Sequence, residues 1–242
     1  IDFIMVFGNS LSAGTPTDAT VTAAKLNNDI ISGQTALASE PADTDEFLVS
    51  DAGTLKRIDY SLIKGGGGFT LLSTTSISSA VASVTIGSSS LFSSTYDYYI
   101  IRGNMRPVSN GMHGYARVRT SAGQQSGSNY KFNRMWQYSG SATVNTDHSG
   151  GAPQLNMVLG QSVNNTHGTT FEIFLSKPNE TNNYKSISFR TVNMDSSPDF
   201  AHHVSGGAWT GGTEAITGLD LYFSSGNIDT GGVITLHGVN KS

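Results

Sequence analysis

The sequence predicts an all-β protein whose larger part is an antiparallel β-sandwich of jelly-roll-like form. Three observations carry the prediction. Apolar side chains recur at every second position in run after run beyond Phe69; Gly, Ser, Asn and Asp separate almost every pair of runs; and only 13% of residues are charged while 28 of 242 are glycine. Alternation marks a strand with one buried face, because successive side chains of an extended chain point to opposite sides. Gly, Asn and Ser accept the backbone angles that tight turns demand. With so few charges, solubility rests on hydroxyl and amide groups.

The beginning of the chain has a different texture, and residues 1–64 are read as a region for attachment and oligomerisation. Residues 1–7 are strand-like and apolar, shorter than a membrane span and without the basic start of a signal peptide. Residues 17–31 fit a short helix: Thr17 or Asp18 can cap it, Leu26 and Ile30 are four apart, and Gly33 can end it. Residues 47–49 and 55–58 flank Asp51 and Gly53, the chemistry of a β-hairpin. A hairpin this small is marginal alone, so copies of itself in an oligomer are its expected cover.

Gly65, Gly66, Gly67 and Gly68 come next. A phosphate cradle needs Lys and then Ser or Thr after its glycines. Here Lys64 precedes the run and Phe69 follows it, so residues 65–68 are read as a hinge between domains. The sandwich occupies residues 69–242. Strand patterns fall at 81–86, 97–101, 115–119, 130–138, 155–159, 171–175, 187–189, 219–223 and 234–236. The run 97–101 is apolar on both faces and is expected in the middle of a sheet.

Composition excludes several classes of function. Net charge is −4 and the basic residues are scattered, whereas holding nucleic acid requires clustered Lys and Arg against the phosphates. Cysteine is absent, which removes disulfides, thiolate metal sites and a cysteine nucleophile. No apolar run is long enough to insert in a membrane as a helix, and no cofactor is expected.

Candidate chemistry is sparse. His202 and His203 are adjacent, so in a strand they point to opposite faces and cannot readily share one metal ion; no metal site is expected. Glu172, Glu180, Asp195, Asp199 and Glu214 supply acids for a hydrolase, but the repeat period of a long β-helical depolymerase is missing. Glycan binding needs flat aromatic faces beside amide and carboxyl groups. Trp136, Tyr138 and Trp209 stand close to Gly-, Ser- and Asn-rich segments, and with His202 they form the candidate ligand-binding set. Against this, the alternation from Tyr130 turns Trp136 and Tyr138 toward the core. Trp209, between Gly206-Gly207 and Gly211-Gly212, reads as part of a loop at the end of the sandwich.

Two parts of the chain resemble fibre and appendage proteins of bacteriophages, in particular those of marine bacteria. Residues 45–58, with Phe47, Leu48 and Val49 before Asp51 and Gly53, resemble a short module that precedes a C-terminal fibre or receptor domain. Residues 91–101 resemble that domain's pattern of a loop phenylalanine, Phe92, leading into an aromatic strand that begins at Asp97. Asn182, Asn183, Tyr184 and Lys185 resemble the start of another of its strands, and residues 215–228 and 231–239 its last two. Residues 102–113 depart from the pattern, and residues 1–44 lie outside it. The resemblance implies a virion protein: a homotrimeric, non-enzymatic appendage that docks to other virion proteins through its N-terminal part. It would display the sandwich to a host surface glycan, with a head-decoration protein and a polysaccharide depolymerase as the alternatives.

Overall fold

The structure, a computed structural model, describes residues 21, 26–27, 29–64, 68–195, 197 and 199–240. Packing divides the chain into two compact units, Ile1–Gly65 and Gly66–Ser242. The strand expected at residues 1–7 and the hinge glycines 65–67 lie outside the described residues.

In the first unit, residues 17–20, 22–25 and 28 of the helix expected over 17–31 lie outside the described residues; Val21, Leu26 and Asn27 are not helical, and a single turn, α1 (Asp29–Ser32), follows them. The side chain of Asn27 accepts from the Asp29 N–H, and the Gly33 N–H closes the turn on the Asp29 carbonyl at 2.8 Å. Thr- and Asn-rich sequence gives a longer helix little support. The expected hairpin is present: β1 (Glu46–Asp51) and β2 (Thr54–Asp59) pair from Glu46 opposite Asp59 to Asp51 opposite Thr54. Ala52 and Gly53 make the two-residue turn with φ of 48° and 86°, and left-handed angles at both positions match the right-handed twist of a hairpin. A single helical turn, α2 (Tyr60–Ile63), follows. None of the described residues of this unit is buried, and Leu48, Leu55 and Leu62 are 74%, 69% and 75% exposed.

The second unit contains β3 (Phe69–Ser76), β4 (Ser83–Ile86), β5 (Tyr96–Met105), β6 (Met112–Thr120), β7 (Gly123–Gln124), β8 (Tyr130–Tyr138), β9 (Asn145–Ala152), β10 (Leu155–Val163), β11 (Thr169–Ser176), β12 (Lys185–Met194), β13 (Phe200–Trp209), β14 (Gly218–Phe223) and β15 (Val233–Asn240). The described strands form a wide sheet ordered β3-β15-β5-β11-β12-β13-β8-β9 and a narrow one ordered β10-β6-β14-β4, with β7 beside β6. Every pairing is antiparallel. The fold is therefore all-β and sandwich-like, and β5, the run read as central, lies between β15 and β11.

The chain changes sheet again and again: β3, β5, β11 and β15 are in the wide sheet, and β4, β6, β10 and β14 in the narrow one. Two hairpins stand outside this alternation. β8–β9 and β12–β13 both add to the wide sheet beyond β11 and double its width. The core lies between the sheets. Ile101, Ile173, Phe189 and Leu236 of the wide sheet belong to one buried cluster with Val118, Leu219 and Leu221 of the narrow sheet, each burial worth about 1.5–3 kcal/mol. Phe92 leads into β5 and meets Tyr99 edge-on at 5.0 Å.

Polar ties complete the sandwich. β10 pairs only with β6, so its other edge has no strand neighbour among the described residues. The Thr191 hydroxyl donates to the Met157 carbonyl, and the Ser205 hydroxyl to the Asn156 carbonyl, each at 3.3 Å. From β8, the buried Tyr130 hydroxyl accepts from the Val118 N–H of β6 at 2.9 Å and donates to the Gln125 carbonyl at 2.8 Å. Tyr130→Phe removes this tie between the sheets and strands a buried N–H. Chemical denaturation should register a loss of about 1–3 kcal/mol; an unchanged unfolding free energy would show that the tie contributes nothing.

Candidate functional site

The four residues singled out from sequence do not come together. Trp209 is the last residue of β13 and only 1% exposed. It lies opposite Tyr130 on one side and Lys185 on the other, both fully buried. The expected loop position is thus corrected: Trp209 presents no ring face to a ligand. Truncating it to Ala would open a cavity costing about 3–5 kcal/mol, so any loss of binding would report unfolding. Trp136 and Tyr138 are half-buried, on the same face of β8 as Tyr130 and Phe132. His202 is exposed on the opposite side of the wide sheet, pointing away from the buried His203.

Trp136 belongs to a polar cluster on the inner side of the wide sheet. Its indole N–H donates to the Tyr138 hydroxyl at 2.7 Å. One side of its ring lies 4.5 Å from the Arg134 guanidinium and the ring stacks with His203 at 6.3 Å. Arg134, its side chain 1% exposed, binds the Asp147 carboxylate at 2.9 Å. His203 Nε2 meets the Asn193 side-chain oxygen at 3.0 Å, so Nε2 carries the proton. His203 Nδ1 and Asn193 Nδ2 are buried without a hydrogen-bond partner. Burial holds the His203 pKa down at about 3, with the positive Arg134 and His202 adding to the shift. This cluster is built to stay neutral at the imidazole and leaves its aromatic faces occupied.

The outer side of the same strands is different. Over β8, β9 and β13 lie two adjoining open depressions of about 530 and 550 Å³. Asn133, His148 and Gly206 line both. The pairing sets His148 opposite Asn133, Asn133 opposite Gly206, Gly206 opposite Ser188, and Ser188 opposite Phe174, a row of short polar side chains across the strands. Lys131 borders the row at one side and Met135 and Val204 at the other.

The glycines decide how this surface is read. Gly207 faces inward, where an added Cβ would come within 2.5 Å of the Lys131 carbonyl and 2.6 Å of Leu155. Packing therefore requires it. At Gly206 and Gly150 an added Cβ would meet nothing within 4 Å, and neither has a left-handed φ. A glycine inside a strand costs about 0.5–1 kcal/mol relative to alanine. Gly150 lies where the pairing of β9 with β8 slips by one residue, and a bulge accounts for it. Gly206 lies in regular pairing on both sides, and a glycine there marks a place where another molecule can approach the backbone closely.

Other features of the second unit carry less. A polar cavity of about 260 Å³ is lined by Arg106, His167 and Gly231, with Arg106 held by Asp229 at 2.9 Å. Among the described residues, no three His, Asp or Glu side chains gather as a metal site. Comparison with known protein families, curated proteins and solved structures finds no match.

The buried imidazole makes stability depend on pH with a definite sign. The unfolded chain takes up a proton near the ordinary histidine pKa of about 6.5, and the folded chain only near 3. His203 therefore contributes fully above pH ~6.5 and progressively less as pH falls toward ~3, at up to about 1.4 kcal/mol per pH unit. Urea unfolding of wild type and His203→Gln between pH ~7 and ~4.5 should show a flatter acid limb in the variant; parallel limbs would contradict the assignment.

Proposed function

We propose that this chain is a structural, non-enzymatic subunit of a bacteriophage particle, a tail-fibre or similar appendage protein that contacts a host-surface glycan. The observation that carries the binding role is the unforced baring of Gly206 between hydrogen-bonding side chains on an open sheet face. Sugar rings are flat enough to lie on such a floor and present hydroxyls to Asn133, His148 and Ser188. Hydrolysis is disfavoured at this place, since glycosidases use a pair of carboxylates about 5–10 Å apart. Among the described lining residues of the two depressions the only carboxylate is Asp147, and it is held by Arg134.

The strand order supports the same reading at the level of architecture. We read β3-β15-β5-β11 against β4-β14-β6-β10 as a jelly roll, two interleaved Greek keys. The hairpins β8–β9 and β12–β13 are then insertions, and the groove lies on them, as grafted sites commonly do. The exposed Leu48, Leu55 and Leu62 of the first unit suit a region that trimerises and docks to other virion proteins. Residues 45–58 and 91–101 carry the resemblance to phage appendages.

Gly206→Val tests the reading, because the new side chain projects into open space and should leave the unfolding midpoint unchanged or raised. Particles carrying the variant should adsorb to host cells at least about tenfold less well, the effect of about 1.4 kcal/mol in affinity. Normal adsorption by a folded variant would remove the groove from the contact, and new reducing ends from host polysaccharide would mark a depolymerase instead.

A further inference from the structure

Resting on that reading, the charge of the groove names the kind of glycan. Net charge over the chain is −4, yet the outer face of the wide sheet has the opposite balance. Among its described strand residues the only carboxylate is Glu172, and Arg102 already binds it at 2.7 Å. Lys131 on β8 and Arg190 on β12 are exposed, and among the described residues neither has an ion pair or a side-chain hydrogen bond, although the pairing of β11 with β12 sets Arg190 opposite Glu172. With Glu172 the one acid against Arg102, Lys131 and Arg190, this face keeps an excess of positive charge that a polyanion would neutralise.

Their positions fit an extended ligand. Lys131 is opposite Ala208 and Arg190 opposite Val204, so the two cations flank Gly206 diagonally across β13. Two strand spacings and four residues along the chain separate them, roughly 16 Å between backbones. Between them the row His148, Asn133, Gly206 and Ser188 offers imidazole, amide and hydroxyl groups above a bare floor. Arg190 also borders a separate hollow of about 290 Å³ with Ser188 and Phe174, where the Phe174 ring is 39% exposed beside Tyr98. One sugar ring cannot reach both cations; a chain of several can, laying its apolar ring faces on the glycine floor and Phe174.

We infer that the groove holds an acidic polysaccharide chain, of the uronic-acid type, whose carboxylates are bound by Lys131 and Arg190. A carboxylate accepts charge-assisted hydrogen bonds from both, and the guanidinium can take it bidentate. Polyanions in general are a weaker fit. Two isolated cations neutralise few phosphates, while nucleic-acid binding rests on many at once, and the amide and hydroxyl row matches the hydroxyl-rich part of a sugar chain.

The test uses the whole chain and two probes: polygalacturonate, and the same polymer with its carboxyls chemically reduced to alcohols. Calorimetry should show binding to polygalacturonate that weakens as salt rises through ~0.1 M, where charges beyond about 10 Å are screened. Reduction of the carboxyls, or the double change Lys131→Gln with Arg190→Gln, should weaken it by about tenfold or more. Arg117→Gln, which removes a cation from the outer side of the narrow sheet, serves as the control and should bind as wild type does. Equal affinity for the reduced polymer would overturn the acidic assignment while leaving glycan binding in place. Binding of neither polymer, or equally tight binding of polyphosphate, would overturn it too. Loss of adsorption in Gly206→Val belongs to the broader reading and is scored separately.

Discussion

The free edge of β10 is the constraint around which the second unit is arranged. A strand with one unpaired edge carries a row of carbonyl and N–H groups that must be satisfied when they are buried. Two adjacent carbonyls of β10, at Asn156 and Met157, accept from the Ser205 and Thr191 hydroxyls on the inner face of the wide sheet. Those hydroxyls come from β12 and β13, part of the stretch that extends the wide sheet past β11. The strands that reach β10 in this way are those that make the wide sheet broader than its partner. Beside Ile187, Phe189 and Phe132, the surplus breadth is lined inside by Arg134, Trp136 and His203, and outside it is the floor of the groove.

That arrangement explains which parts of the fold were legible from sequence. Strands that look across at an apolar partner stand out: β11 alternates cleanly, Leu219, Leu221 and Phe223 alternate on β14, and β5 is apolar on both faces. β13 does not, because its inward positions are Ala201, His203, Ser205, Gly207 and Trp209 while Phe200 and Val204 are exposed. Its inner side answers a strand edge and a polar cluster, so the usual signal is inverted and Trp209 reads as a loop residue. β9 is polar throughout because it lies at the end of the wide sheet. Lys185 looks like a solvated charge, yet its ammonium is buried against the carbonyls of Glu180, Asn183 and Thr213. Those acceptors come from two separate loops, which no local pattern discloses.

The candidate site was hidden for a similar reason. In the sequence, Gly150 and Gly206 look like the turn glycines around them; only register brings them beside Asn133 and His148 and shows that nothing steric requires them. Aromatic residues drew attention instead, and those proved to be structural: Trp209 in the core, Trp136 between Arg134 and His203. The alternation from Tyr130 did forecast the inward side of Trp136 and Tyr138. Function, on this account, sits where side chains are withheld rather than where the large ones are.

The proposed glycan contact lies on strands, on the outer face of β8–β9 and β12–β13, and not on the loops at the sandwich ends. Amide chemical-shift mapping during titration with the host's surface polysaccharide tests that placement directly. The account predicts shifts concentrated at Asn133, His148, Ser188 and Gly206, with the loop residues between strands largely silent. Shifts confined to the loops, with those four amides unmoved, would contradict it.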